Sequence, residues 1–393
     1  MNRTICVVTG SRSEYGLLLP LMKRILEDND LCLQIIATGM HLSNEFGLTY
    51  REIENDGFFI NEKIETLLAA DTPTGIIKSM GLGLIGFADA FNRLKPDILV
   101  VLGDRYEIMV AVQAAMIYSI PIAHIHGGEI TEGAIDDSIR HAISKMSHLH
   151  FVSTSAYRDR VIQLGEQPER VFNVGAIGVD NIIELELLDR QKFEESIQFT
   201  LGEQNFLITY HPVTLSDSNS DMLITELLAA LDCFPEARIV FTKPNSDADG
   251  RIISQKIDEY VQRNTERAIS FTSLGQLRYL SALQHMDVII GNSSSGIIEV
   301  PLFNKPTVNI GSRQSGRIKG PSVIDCGESR KDIAEAIVQA ISGSFREGNT
   351  KANLSLYGNG NTSARIKDVL KCVNVKGIVR KKFHDIHPNR GEE

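Results

Sequence analysis

Short runs of apolar, β-branched residues alternate along this chain with longer stretches of helical periodicity, and six of the runs end directly in a polar loop. Those loops are residues 9–14, 103–107, 126–129, 211–214, 292–299 and 311–317. Strands read at 5–8, 33–37, 98–102, 122–125 and 150–153, with helical stretches at 17–27, 74–94, 106–118, 136–146 and 156–164 between and after them. The second half repeats the theme, with strands at 206–210, 239–242, 288–290 and 307–310. Its helices fall near 221–233, 251–263, 276–285 and 332–342. Such alternation demands right-handed βαβ units and a doubly wound parallel sheet. Ligands of such sheets lie just beyond the carboxyl ends of the strands. The six loops therefore read as one site drawn from both halves.

At 393 residues the chain exceeds what one hydrophobic core holds. The charged, helix-prone segment 184–205 reads as the connection between two domains. The expected fold class is α/β, with two Rossmann-like doubly wound domains facing a central cleft. Domain bounds are expected at 1–185 and 205–355, followed by a C-terminal helix and tail at 361–393 that cross back onto the first domain. Past Lys376 the basic run Arg380-Lys381-Lys382 reads as a solvated tail.

A net charge of -10 argues against nucleic acid or an anionic membrane as partner. Residues 1–4 lead straight into a strand instead of an apolar leader, and no apolar run reads as a membrane span. The five cysteines are widely spaced and read as reduced thiols of a cytoplasmic protein.

Gly81-Leu82-Gly83-Leu84-Ile85-Gly86 matches the dinucleotide fingerprint by spacing, with Asp104 near the position of the ribose-binding acid. The context is wrong. No strand precedes it, and the apolar pattern runs on as a helix to Phe91, so close helix packing is the reading preferred. No Walker A loop is present, which argues against ATP hydrolysis.

The loops themselves suit an anionic, phosphate-bearing ligand and proton transfer on it. In Gly10-Ser11-Arg12 a helix start and a guanidinium together fit phosphate. Asp104 and Arg105 stand beyond a central strand, either as proton carrier and partner or as a structural ion pair. His124 and His126 share a face before Gly127-Gly128-Glu129. A metal reading of His124, His126 and Glu129 lacks a further ligand, so no metal is expected, and Glu129 reads as a general acid or base. Asp136 and Arg140 are one helical turn apart. His211 projects from a strand end fixed by Pro212. Asn292 to Glu299 carries three hydroxyls before a helix start, with Glu299 one turn in, spaced for a ribose diol. Arg313 and Arg317 add two more cations.

In combination these motifs resemble a known family. The chain is similar to the hydrolysing UDP-N-acetylglucosamine 2-epimerases from its first strand to about Arg317. The match is carried by Gly-Ser-Arg-Ser-Glu-Tyr-Gly (10–16), Gly-Asp-Arg-Tyr-Glu (103–107), His-Ile-His-Gly-Gly-Glu (124–129), Asp-Asp-Ser-Ile-Arg-His (136–141), His-Pro (211–212), Gly-Asn-Ser-Ser-Ser-Gly (291–296) and Gly-Ser-Arg-Gln-Ser-Gly-Arg (311–317). Arg105 and Gly127-Gly128-Glu129 side with the hydrolysing branch over the non-hydrolysing one.

The resemblance implies a GT-B-like fold. It also implies that Arg12, Ser293, Ser294, Glu299 and Arg313 hold the nucleotide and that His211 contacts the diphosphate. Asp104, Glu129 and Asp136 would surround the sugar, oriented by Arg105 and Arg140. The expected reaction converts UDP-N-acetylglucosamine to N-acetylmannosamine and UDP through a glycal, without a cofactor. A diacetamido-trideoxy sugar nucleotide, a GDP-linked sugar, or glycosyl transfer by the same architecture are the alternatives. The small-molecule partner is a nucleotide sugar, and a homodimer or homotetramer is expected.

Overall fold

Apolar five-residue segments such as Ile98–Leu102, buried along their whole length, fold only where both faces of a strand are covered. In a computed structural model of the chain they are covered by helices on both sides. The structure describes residues 2–68, 72–131, 134–212, 220–244, 250–342 and 356–386.

The first sheet contains β1 (Arg3–Thr9), β2 (Leu31–Thr38), β3 (Glu62–Ile64), β4 (Ile98–Leu102), β5 (Ile122–Ile125), β6 (Leu149–Val152) and β7 (Val171–Asn173). The second contains β8 (Asn205–Thr209), β9 (Arg238–Thr242), β10 (Ala268–Phe271), β11 (Val288–Gly291), β12 (Thr307–Ile310) and β13 (Val323–Cys326). Their orders are β3-β2-β1-β4-β5-β6-β7 and β10-β9-β8-β11-β12-β13, and every pairing is parallel. The chain reverses direction across each sheet between β1 and β4, and between β8 and β11. These are the switch points at which doubly wound sheets open a ligand crevice.

Strands β3, β7, β10 and β13 add to those expected from the sequence. Each is an edge or near-edge strand of three or four residues with polar members, too short to give a periodic signal. Helix Pro73–Leu94 contains Gly81, Gly83 and Gly86 in mid-helix. A Cβ on Gly83 would stand 3.0 Å from Val110 Cγ1, and one on Gly86 only 2.4 Å from Ile64 Cγ2. Gly83 and Gly86 thus serve close packing on the helix Tyr106–Ile117 and on β3.

That same helix corrects one expectation. It has 22 residues, and its most apolar 18-residue window has a mean hydropathy of 1.2, which is long and apolar enough to cross a membrane by length and composition alone. One face of it is packed on the sheet, while Ile77 and Ile85 are 68% and 67% exposed.

The C-terminal helix Thr362–Cys372 lies against helix Arg12–Leu26 and places Ile366 and Leu370 in the core of the first sheet. Asp180 accepts the Thr362 and Ser363 N–H groups at 2.9 and 2.6 Å, satisfying the first amides of that helix. In the basic run that follows, Arg380 and Lys382 are exposed, as a solvated tail would be, whereas Lys381 is held down. Lys381 Nζ donates to Glu166 Oε1 and Oε2 at 2.8 Å and to the Ser147 carbonyl at 2.7 Å. Phe383 lies over Gly165, where the absence of a Cβ makes room for its ring. A long aliphatic stem with one cationic end is easily mistaken for surface when its carboxylate partner lies far off in sequence. The expected boundary at 355 and the last residues, 387–393, lie outside the described residues.

Candidate active site

The loops after β1, β4, β5, β8, β11 and β12 meet in a cleft between the sheets, around a cavity of about 340 Å³. Arg12, Asp104, Arg105, Glu129, Asp136, Arg140, His211, Ser293, Ser294, Glu299 and Arg313 all line it. The residues nominated by the sequence for catalysis and nucleotide binding converge on one place. For Val213 and Thr214 of the His211 loop, placement lies outside the described residues.

The two halves touch closely behind the cleft. Gln276 Nε2 and Asn181 Nδ2 both donate to the Gly16 carbonyl, at 2.6 and 3.0 Å. A Cβ on Gly16 would meet the Gln276 side chain at 3.4 Å, so the two helices approach to van der Waals distance here. Arg12 spans the same seam, 2.6 Å from Glu52 and 3.3 Å from the Ser273 carbonyl.

In the first half of the chain, carboxylates gather around Arg140, which is 4% exposed. Arg140 pairs with Asp104, and burial, which would weaken its charge, is outweighed by Asp104, Glu129, Asp136 and Asp137. Arg105 pairs with Glu107 at 3.3 Å, beneath the same floor. Glu129 is almost fully buried. Burial would raise its pKa, but Arg317 at 2.7 Å, His126, Arg140 and the Ser153 hydroxyl at 3.0 Å hold the carboxyl down at about 2. A carboxylate held low is ionised and presents only acceptor oxygens to its neighbours.

The two histidines of β5 and its loop do different things. His124 Nε2 donates to the Gly103 carbonyl at 2.8 Å, and its Nδ1 accepts from the Ser144 hydroxyl at 3.0 Å. Burial pushes its pKa down to about 3, so it is a neutral strut between the β4 and β5 loops. His126 has a left-handed backbone with φ of 67°, an uncommon conformation for a non-glycine residue. Its Nε2 accepts the Ile177 N–H at 3.4 Å, which leaves Nδ1 as the donor toward Glu129, 3.4 Å away. Among the described residues no cluster of three or more His, Cys, Asp or Glu is placed to hold a metal.

In the second half of the chain, Asn292 locks two loops together. Its Oδ1 accepts the His211 N–H at 2.7 Å, and its Nδ2 donates to the His211 carbonyl at 2.8 Å. The Asn292 carbonyl accepts from Arg313 Nη1 at 3.1 Å and Gln314 Nε2 at 2.8 Å. This close approach requires Gly291, where a Cβ would fall 1.8 Å from the Thr209 carbonyl oxygen. The helix after the serines is shorter than expected. It covers only Ser295–Ile298, because Pro301 lacks the N–H that would extend it, and Glu299 closes it. The Gly296 and Ile297 amides bond to Ser293 and Ser294 carbonyls at 3.2 and 3.0 Å, so this turn offers fewer free donors than a long helix start. Glu299 is half-buried in the cleft wall, where desolvation raises its carboxyl above the usual range, and it accepts from the Ser295 hydroxyl. Tyr279 donates to the same hydroxyl at 2.7 Å.

A sequence profile of the UDP-N-acetylglucosamine 2-epimerase family matches residues 23–371. The chain belongs to that family. A GDP/UDP-N,N'-diacetylbacillosamine 2-epimerase (hydrolyzing) from Campylobacter jejuni is 45% identical to it, covering 98% of this chain and 100% of the relative. A UDP-N,N'-diacetylbacillosamine 2-epimerase (hydrolyzing) from Legionella pneumophila is 38% identical, over 95% of this chain and 97% of its own. With such relatives the chain is a hydrolysing 2-epimerase. The fold is also that of the UDP-GlcNAc 2-epimerase of Neisseria meningitidis, solved bound to UDP-GlcNAc. That structure superimposes with a TM-score of 0.77 at 16% identity, over 93% of this chain and 99% of the other.

Sequence reading of this 2-epimerase missed Glu14, Gln276, Tyr279 and Lys243, which also line the cleft. Only Glu14 carried a signal, the Ser-x-x-Glu spacing of a capping box from Ser11. Lys243 follows a strand that the sequence did show, and Gln276 and Tyr279 stand on a helix that it showed, but none of the three lies in a recognisable motif.

Proposed function

We propose that this hydrolysing 2-epimerase acts on a UDP-linked diacetamido-trideoxyhexose, releasing UDP and the free sugar inverted at C2. The observation that carries the chemistry is the convergence of two kinds of group on one cleft. Arg12, Arg313, His211, Ser293 and Ser294 line it together with Asp104, Asp136 and Glu129, and those three carboxylates act on Arg140. The sugar assignment leans on the 45% and 38% identical relatives, whose coverage is nearly complete.

The C2 proton of such a sugar is not next to a carbonyl, so its direct removal is very unfavourable. Departure of UDP with the C1–O bonding pair builds oxocarbenium character at C1 and acidifies C2–H. A carboxylate then takes that proton, and its electron pair closes the C1–C2 double bond of a glycal. Cations at the diphosphate stabilise the leaving charge as it develops. In the second half, water adds its oxygen to C1 while C2 receives a proton on the opposite face. Net change is inversion at C2 and hydrolysis at C1, with no oxidation or reduction, so no redox cofactor is called for. Asp104 and Asp136 are our candidates for the proton carriers, with Arg140 between them and Glu129 as a fixed charge.

UDP-N-acetylglucosamine is the second reading, favoured by the description of the family as a whole. Incubation of the protein with UDP-N-acetylglucosamine, its diacetamido analogue and the GDP-linked sugar in D2O tests both. The expected product is free sugar inverted and deuterated at C2, formed fastest from the diacetamido compound. Unlabelled sugar of unchanged configuration would mean plain hydrolysis or an abortive glycosyl transfer and end the proposal.

A cytoplasmic location and self-association belong to the same proposal. The exposed apolar face of helix Pro73–Leu94, with Ile77 and Ile85, continues onto Ile117 at 78% exposure, and a second copy of the chain is the partner we assign to it.

A further inference from the structure

Glu14 stands in the first turn of helix Arg12–Leu26, on the cleft floor, and is 5% exposed. One of its oxygens has an evident structural role. Oε2 accepts the Gly10 N–H at 2.7 Å, and so steadies the turn between β1 and the helix. The helix start asks nothing more of this side chain, because Ser11 already accepts the Glu14 N–H. The other oxygen, Oε1, is buried and has no hydrogen-bond partner. Natural proteins seldom leave a buried polar atom in that state, and in a cleft the missing partner is commonly a ligand.

We propose that Glu14 is a further substrate-binding residue, whose Oε1 donates a hydrogen bond to an acceptor oxygen of the bound sugar such as an acetamido carbonyl. This inference rests on the reading that the cleft takes a nucleotide sugar. The charged groups facing Glu14 are Arg105, Glu107 and Asp104. Burial, with Glu107 and Asp104, lifts its carboxyl to about 8, against the opposing pull of Arg105 and the Gly10 N–H. At neutral pH it is therefore a carboxylic acid. Oε2, which accepts, is its carbonyl oxygen, and the proton sits on Oε1. Such a donor complements its ionised neighbours, since a carboxylate only accepts. A sugar bearing two acetamido groups brings two carbonyl acceptors, so a neutral acid in this position contributes to its selection.

The test compares wild type, E14Q and E14L by calorimetry with UDP and by steady-state kinetics on whichever of the three nucleotide sugars the wild type turns over. Wild-type turnover tests the assignment of the cleft, and the variants test Glu14 alone. E14L should raise KM for the nucleotide sugar by roughly tenfold while UDP affinity stays close to wild type. E14Q regains a donor on the same stem and should recover most of that loss. It should also keep its KM as the pH is raised through about 8, where the wild type loses affinity as Glu14 ionises. An unchanged KM in folded E14L overturns the proposal. So does a UDP affinity that falls in step with KM, or an E14Q no better than E14L.

Discussion

Arg317 Nη1 lies 2.7 Å from Glu129 Oε2, with both side chains buried, so a cation beyond β12 of the second sheet neutralises a carboxylate beyond β5 of the first. Arg317 reaches the same loop again through its Nε, which donates to the Ile130 carbonyl at 2.7 Å. The loops of the two sheets are thereby held in one geometry. Removing one partner of a buried ion pair strands the other charge, at a cost of about 3–5 kcal/mol. R317A should lose stability on that scale in urea or thermal unfolding. A loss under about 1 kcal/mol would mean that water replaces the guanidinium and that the pair is no clamp.

The carboxylates separate by role. D104N and D136N keep shape and hydrogen bonding but carry no proton, so turnover should fall by roughly 10²–10⁴-fold while UDP affinity holds. E129Q is expected to behave differently, losing melting temperature together with activity, because its charge answers Arg317. Melting temperature, UDP affinity and turnover on the same three variants check this. Near-normal turnover in both D104N and D136N would sink the mechanism.

Arg313 and His211 are both hydrogen-bonded to Asn292 in the cleft. R313A should mainly weaken nucleotide binding, by about 1.5–3 kcal/mol for a lost charge-assisted contact. Calorimetry with UDP reads this directly. Unchanged affinity in a folded variant takes Arg313 out of the site.

Acid should unfold this protein in part through its buried histidines. His124 falls from 6.5 to about 3 and His41 to about 4, both because burial penalises the imidazolium. Their folded pKa values lie below the unfolded ones, so the unfolded chain binds protons first as pH drops. The stability is fully present above 6.5 and drains away as the pH falls toward the folded values. Melting temperature measured across that range should decline, and less steeply in H124N. An equal slope in the variant would assign the acid sensitivity to other groups.

Self-association through the apolar face predicts that I85K and I117K lower the mass seen by light scattering, with the fold retained by circular dichroism. A wild-type chain that is monomeric at micromolar concentration would refute this assignment.

The alternation of buried strands and amphipathic helices was legible along the chain, and with it the two parallel sheets. So were the loops that bear the chemistry, since each follows a strand whose apolar run is unmistakable. Both follow from local facts: side-chain periodicity, and the rule that loops at the carboxyl ends of parallel strands face one crevice. Short edge strands such as β3 and β10 stayed hidden because three or four partly polar residues hold no period. Which charges meet is settled only in the folded chain. That the Glu129 carboxyl is held low depends on Arg317, a partner contributed by the other half of the chain. That Lys381 is tied to Glu166, and that Glu14 keeps one oxygen unsatisfied, likewise depend on partners and burial contributed by distant segments. Periodicity is written along the chain, whereas desolvation and ion pairing are set only when remote segments close over a group and fix its distance to the next charge.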